Sequence, residues 1–324
     1  MEHTWRCAIT VADLGEFGII ARIVGRLPQF PAVLLGPGDD AAVVRAPDGR
    51  MVVTTDLLLE GRHFRRDWSS PYDVGRKAAA QNLADVAAMG AAPTALVVGL
   101  GLPGDLPTEW LDGLTDGFRD ECAPIGVSVA GGDIVRSEQV VLAVTALGDL
   151  GGRPPVTRSG AQPRQVLAVA GRLGRAAAGL ALFLAGRAGT SERFAELEDA
   201  HRRPSPPYAC GPAAAALGAT AMLDVSDGLL QDVGHIAEAS GVCVEIDPDA
   251  FPLDEPLAAA AAELGEDPLR WILTGGEDHA LAAVFPAEVP LPAEWRVVGR
   301  IAEGKGVQVR GHEEAYGGWD HFRS

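Results

Sequence analysis

Residues 72–91, YDVGRKAAAQNLADVAAMGA, limit what this chain can fold into more than any other stretch. Pro71 can open a helix there and Gly90 can close it. Between them Lys77, Gln81 and Asp85 recur at i, i+4 and i+8 and so share one face. The positions around that stripe are mostly alanine, which lets another backbone or a bulky charged ligand approach the helix. Asp85 then points a carboxylate into a crowded place, and a buried acid is tolerated only if it is paired or coordinates a metal. The rest of the chain has to supply that partner.

With 324 residues the chain is long enough for two domains, expected over 1–150 and 151–324. Its net charge of −17 argues against nucleic acid as a partner, because phosphate backbones need a basic footprint. No apolar run nears the ~20 residues of a membrane span, and MEHTWRCAIT lacks the basic start and apolar core of a signal peptide. The cysteines at 7, 122, 210 and 243 are too scattered for zinc or a disulfide framework, so a cytoplasmic location is expected. Lys77 and Lys305 are the only lysines, and neither sits in a G-x-x-x-x-G-K-[ST] phosphate loop.

In chain order, residues 14–27 carry a helical apolar pattern, and Gly36-Pro37-Gly38 delivers Asp39 and Asp40 into a strand over 41–45. A polar hairpin turn is the plainer reading of that acid pair. The next strand, 51–55, is expected to end in Thr54-Thr55-Asp56, whose oxygens suit a hard cation. His63 has no second histidine at a metal-ligand spacing, and a lone histidine is more often structural. After a strand over 95–102, the string from Gly99 to Gly104 matches G-x-G-x-x-G. Pro103, Asp105 and Pro107 delay the following helix, so it reads as a decoy rather than a dinucleotide fingerprint. A helix over 108–123 leads to a strand over 126–130 and a turn at Gly131-Gly132-Asp133, where bare backbone can meet a phosphate or metal.

Residues 148–165 are dense in Gly and Pro and mark the boundary; they contain Arg158, placed where a cleft ligand could meet it. The second half restarts with a strand over 166–170 and a helix over 173–185, followed by a polar, mobile stretch over 190–202. In MLDVSDGLL, Ser226 is expected to cap a helix over 228–239, with Asp224 and Asp227 bracketing its positive start. Strands follow over 242–247, 281–285, 295–301 and 307–310, with LTGGEDH between the first two as a second Gly-Gly-acid turn.

Separated segments thus repeat one grammar, a strand end or helix face followed by aspartate with glycine, serine or threonine: Asp39-Asp40, Thr54-Thr55-Asp56, Asp85, Gly132-Asp133 and Asp224 to Asp227. If they converge in one cleft, those carboxylates cannot all stay ionised without cations. Oxygen-only ligands select Mg²⁺ over zinc, and several Mg²⁺ ions in one cleft point to phosphate. The motifs GDDAAVV, TTD with GRHF, NLADVAAMGA, GGD, TRSGAQP, RPSPP, DVSDGL and GGED stand in the order found in the thiamine-monophosphate kinases. From LGEFG to WDHF the chain resembles that family, whose superfamily also holds aminoimidazole ribonucleotide synthetase and selenophosphate synthetase.

The resemblance implies transfer of the ATP γ-phosphate onto thiamine monophosphate. It implies a two-domain α/β (α+β) fold, the N-terminal sheet pairing across a homodimer and a C-terminal α/β domain completing the cleft. Carried over by motif, Asp40, Thr54, Thr55, Asp56, Asp85, Asp133 and Asp224 hold Mg²⁺ and Asp227 a further ion. Gly132, Asp133, Arg158 and Ser226 meet ATP, and His63, Glu277 and Trp319 line the thiamine side. K⁺ is left open as a further cofactor. The sequence departs from the family at Ile134-Val135, where hydroxyl residues are usual, and at His279-Ala280, where an aromatic and an acid are usual. The rivals are another ATP-dependent enzyme of the superfamily and a non-catalytic divalent-metal-binding protein, in which chelation costs stability without abolishing turnover.

Overall fold

The computed structural model describes residues 9–37 and 41–311. The chain forms two compact units, Met1–Ala46 with Val53–Asn82 and Thr94–Leu147, and Pro47–Val52 with Leu83–Pro93 and Gly148–Ser324.

The first unit contains α1 (Val11–Val24), a small antiparallel pair of β1 (Val33–Leu35) and β2 (Val43–Val44), and then β3 (Val52–Leu59). There follow α2 (Pro71–Ala88), β4 (Ala92–Leu102), α3 (Thr108–Cys122), β5 (Ser128–Arg136) and β6 (Val141–Asp149). Four strands form one sheet in the order β3-β6-β4-β5, with β4 and β5 parallel and joined through α3. The helices α2 and α3 approach closely because both lack side chains where they cross. A Cβ on Gly75 would lie 2.1 Å from the Leu114 carbonyl oxygen, and one on Gly117 would lie 2.2 Å from that of Tyr72. One sheet face stays open and partly apolar, presenting Val53 and Leu57 on β3, Val97 on β4 and Val135 on β5.

Two strands run further than their sequence indicated. Thr54, Thr55 and Asp56 lie inside β3 rather than at its end, and Gly131-Gly132-Asp133 is a stretch of β5 rather than a turn. The reason is the ladder: β5 pairs with β4 as far as Arg136, with a register irregularity at Leu96/Val97 that no local propensity reveals.

The second unit begins with β7 (Val166–Ala170) and α4 (Arg175–Leu184). A 3₁₀ turn at Glu192–Phe194 and α5 (Ala195–Arg202) then replace the expected mobile stretch, because Phe194, Leu197 and His201 are buried there. Next come α6 (Cys210–Ala216), β8 (Ala221–Val225), α7 (Leu229–Ser240), β9 (Cys243–Ile246), α8 (Glu255–Leu264) and α9 (Pro268–Thr274). The strands β10 (Ala280–Phe285), β11 (Trp295–Ala302) and β12 (Gly306–Val309) complete a sheet ordered β12-β9-β11-β7-β10-β8, antiparallel except for β12 with β9. Its strands β8 and β10 are buried on both faces, which is why ALAAVF reads as an unbroken apolar run and AMLDV is interrupted only by Asp224. Leu167, Val169, Leu223 and Val284 share a core with α7 residues Val233 and Ile236, while Ala168, Met222, Ala283 and Phe285 pack with Ala87 and Ala214. Among the described residues no helix is long and apolar enough to cross a membrane.

Candidate functional site

The helix α2 is buried almost all round: Val74, Ala78, Ala79, Ala80, Leu83, Ala84, Val86 and Ala87 have no exposed surface. Gln81 and Asp85 stay half-buried on one stripe, so the helix keeps a polar line where packing alone would have kept none. The third member of that stripe, Lys77, is fully enclosed and donates from Nζ to the His63 carbonyl oxygen at 3.1 Å. The His63 ring itself accepts the Leu59 N–H at Nδ1, 3.0 Å. Gln81 donates to Asp56 Oδ2 at 3.1 Å, and the buried Asn82 accepts the Asp56 N–H at 3.0 Å while donating to the Ala78 carbonyl. Asn82, unnoticed in the sequence, thus ties the outer edge of β3 to α2.

The sheet sorts the remaining acids of the first unit. Side chains alternate along a strand, so Thr54 and Asp56 share one face and Thr55 takes the other. There Thr55 Oγ1 donates to the Val144 carbonyl at 3.0 Å and accepts from Thr145 Oγ1 at 3.1 Å. Asp133 is exposed on β5, the edge opposite β3, and pairs with Gly99, where an added Cβ would face Ala143 on the open side. The unit therefore does not bring Asp133 to Asp56. Gly132 has a packing reason of its own: a Cβ there would lie 2.0 Å from the Val98 carbonyl oxygen. Asp40 and Trp319 lie outside the described residues.

In the second unit two loops interlock backbone to backbone. A Cβ on Gly276 would lie 2.3 Å from the Ser226 carbonyl oxygen, and one on Gly228 would lie 2.6 Å from that of Thr274. The Glu277 N–H donates to Ser226 O at 2.7 Å and the His279 N–H to Val225 O at 2.9 Å. Both residues are held in left-handed backbone, φ 65 and 51, although neither is glycine. Such conformations persist only where surrounding contacts enforce them. The enforcing residue is Asp278 between them, which is buried and accepts the N–H groups of Gly174 at 2.6 Å and Ala176 at 2.8 Å. Burial pushes its carboxyl up to about 7, although those amides pull the other way. Glu277 is further met by the buried His201 of α5, Nδ1 to Oε2 3.4 Å.

Asp224 is buried on β8 and meets His279 Nδ1 at 3.0 Å. Ser226 does not cap α7: the helix begins at Leu229 with Gly228 as its cap residue, and no side chain of the cap bonds it. Asp232 reaches back from the first turn instead, its Oδ2 accepting the Asp227 N–H at 3.0 Å and the Gly228 N–H at 3.1 Å. Burial pushes the Asp232 carboxyl up to about 7, and the charges of Asp224 and Asp227 add to the rise. At His279 burial disfavours the imidazolium, yet the Asp224 hydrogen bond and the charges of Asp224, Glu277 and Asp85 carry its pKa above the usual histidine value. Arg158 is exposed, and its carbonyl accepts from Ser240 Oγ at 3.2 Å.

The second unit therefore concentrates acid around Asp224, Asp227 and Asp232, with His279 as a compensating group. A hard cation fits this donor set, which is carboxylate oxygen throughout. Among the described residues no three His, Cys, Asp or Glu side chains form a metal cage. An ion here would complete its shell from elsewhere, as Mg²⁺ does when one or two carboxylates and a substrate phosphate share it.

The chain matches the AIR synthase related protein N-terminal domain over residues 38–150 and the corresponding C-terminal domain over 162–312. It is 54% identical over 316 residues to the thiamine-monophosphate kinase of Mycobacterium tuberculosis (strain CDC 1551 / Oshkosh), covering 97% of this chain and 93% of that one. Among solved structures it resembles the thiamine-monophosphate kinase of Stenotrophomonas maltophilia K279a, with a TM-score of 0.82 and 34% identity over 95% of this chain and 99% of that one. It also resembles AaThiL complexed with AMPPCP and TMP, with a TM-score of 0.80 and 33% identity over 99% of this chain and all of the other.

Proposed function

The chain belongs to the AIR synthase related family in both its domains, and from that premise we propose that it phosphorylates thiamine monophosphate to thiamine diphosphate with ATP. The observation that carries this reading is the 54% identity to a thiamine-monophosphate kinase across 97% of the chain. A buried helix that keeps Asp85 on a polar stripe, and a strained loop that presents Glu277, supply side chains suited to that chemistry.

In this reading Asp40, Thr54, Thr55, Asp56, Asp85, Asp133 and Asp224 hold Mg²⁺ ions and Asp227 a further one. The roles of Asp40, Asp133 and Thr55 rest on the resemblance. When bound, the ions neutralise phosphate oxygens and stabilise charge spread over a loose, in-line transition state. The protein's own work is positioning. Gln81 and Asn82 fix Asp56 from both its side chain and its N–H, the interlocked loops fix Ser226 and Glu277, and His279 meets Asp224. Gly132, Asp133, Arg158 and Ser226 contact ATP, and His63, Glu277 and Trp319 take the thiamine side. The acceptor is a phosphate oxygen that is already ionised, so no protein base has to remove a proton and no covalent phosphoenzyme forms.

Residues 1–150 supply most of the metal ligands and the dimerisation face, and 151–324 the remainder of the nucleotide and substrate contacts. A second copy would cover the open sheet face bearing Val53, Leu57, Val97 and Val135. The location is cytoplasmic, and K⁺ is a further candidate cofactor. A coupled assay of ADP formation tests the reading: ADP release should require thiamine monophosphate and a divalent ion. Release driven by another superfamily substrate instead would overturn it.

Glu277→Ala should raise KM for thiamine monophosphate about tenfold or more and leave KM for ATP within about twofold, since a lost charge-assisted contact is worth roughly 1.5–3 kcal/mol. Initial-rate kinetics in both substrates would check this. Equal changes in the two KM values would remove Glu277 from the thiamine side.

A further inference from the structure

We propose that His279 is a positioning residue, holding the Asp224 carboxylate in the orientation in which its second oxygen can take a divalent cation. This rests on the assignment of Asp224 as a metal ligand above. An ionised carboxylate only accepts hydrogen bonds, so the 3.0 Å contact requires the proton on His279 Nδ1 and engages Asp224 Oδ2. Oδ1 is the oxygen left for the ion. Both side chains are nearly closed off, 8% and 9% exposed, so solvent does little to compete for that bond.

The backbone around His279 is built to hold the ring in this place. Its φ of 51 is unfavourable for a residue with a Cβ. The N–H bond to Val225 O, 2.9 Å, fixes its start. The preceding Asp278 anchors the loop on Gly174 and Ala176. Across the sheet, Asp224 stands opposite Leu281 in the β8–β10 register, and His279 immediately precedes β10. Groups that orient a metal ligand from behind in this way typically change metal affinity about 10–100-fold when removed.

The experiment is a titration of the full-length protein with Mn²⁺ in the presence of AMPPCP, reading free Mn²⁺ by its EPR signal. His279→Ala should weaken the tightest Mn²⁺ site about 10–100-fold. His279→Asn keeps a donor near the Nδ1 position and tolerates left-handed backbone, so it should stay within about threefold of wild type. Asp224→Asn should lose that site, and adding His279→Ala to it should produce no further loss. Thermal melts of each variant separate folding from binding. The proposal is overturned if His279→Ala binds Mn²⁺ as wild type does, or if its loss persists in full on top of Asp224→Asn. If Asp224→Asn itself leaves Mn²⁺ binding unchanged, the metal assignment fails and this proposal with it.

Discussion

Asp85→Asn leaves the protein folded and lowers turnover by about 10²–10³-fold, because one carboxylate shared with a cation is worth several kcal/mol in the transition state. Folding survives because asparagine has nearly the same shape and the side chain is only half-buried. The surrounding helix is held by Ala84, Val86 and Ala87, which do not change. What the variant removes is charge at one point of a polar stripe whose other members, Lys77 and Gln81, are engaged with His63 and Asp56. Steady-state kinetics with saturating ATP and Mg²⁺, beside a thermal melt, would check both halves. Turnover near wild type in a stable Asp85→Asn protein would count heavily against a metal role for this residue.

The second large effect is a pH-dependent loss of stability, read with chelator present. Asp278 is buried and its carboxyl is pushed up to about 7, well above an unfolded value near 3.8. A carboxyl raised in this way favours the folded state while protonated, so its stabilisation is complete below about pH 4 and fades as pH rises to 7 and beyond. At about 1.4 kcal/mol per pH unit the loss approaches an upper bound of about 4 kcal/mol. Asp232 is displaced the same way, and His279, raised above the usual histidine value, also loses its contribution as pH climbs. The lowered carboxyls of Asp13, Asp48, Asp67, Asp112 and Asp120 act below about pH 4, outside this window.

Asp278→Asn separates the causes. Its amide can accept from only one of the two loop-anchoring N–H groups, so at pH 5 the variant should be about 1–3 kcal/mol less stable than wild type. The gap should narrow toward pH 8.5, where wild type carries a buried charge and the variant does not. Urea midpoints at the two pH values would measure it. A gap of constant size would mean that Asp278 does not titrate in the folded protein.

How far the sequence could be read depended on whether the signal was local. The helix α2 was legible because Pro71, an alanine-rich body and a four-residue polar spacing are properties of one segment. The strand β10 was legible as well, because its apolar run lies within one segment, whereas β8 passed unseen with Asp224 inside it. Gly131-Gly132-Asp133 misled because a turn and a close strand crossing use the same residues; only the Val98 carbonyl beside Gly132 distinguishes them. Ser226 lost the helix cap to Asp232, which lies six positions later and is chosen by burial rather than by propensity. The polar composition of 190–202 hid a helix whose few buried side chains, Leu197 and His201 among them, carry it.

In the site, the acids announced themselves and their supports did not. Asp56 stands out beside Thr55, Asp85 on its alanine-rich helix, and Asp224 two positions before Ser226. Asn82, His201, Asp278 and His279 act through partners remote in sequence, so nothing local marks them. The GGEDH string held two of them in view, but only in the fold does Asp278 anchor the loop on Gly174 and Ala176 and His279 face Asp224.

Direct transfer between two phosphate-bearing reactants depends on the aspartates that let them meet. Incubation of the protein with [γ-³²P]ATP and thiamine monophosphate, followed by separation of nucleotide, thiamine phosphates and protein, tests that most directly. Label should appear in thiamine diphosphate when Mg²⁺ is present, with none on the protein and none transferred in excess EDTA. Label trapped on the polypeptide, or transfer that continues in EDTA, would contradict it.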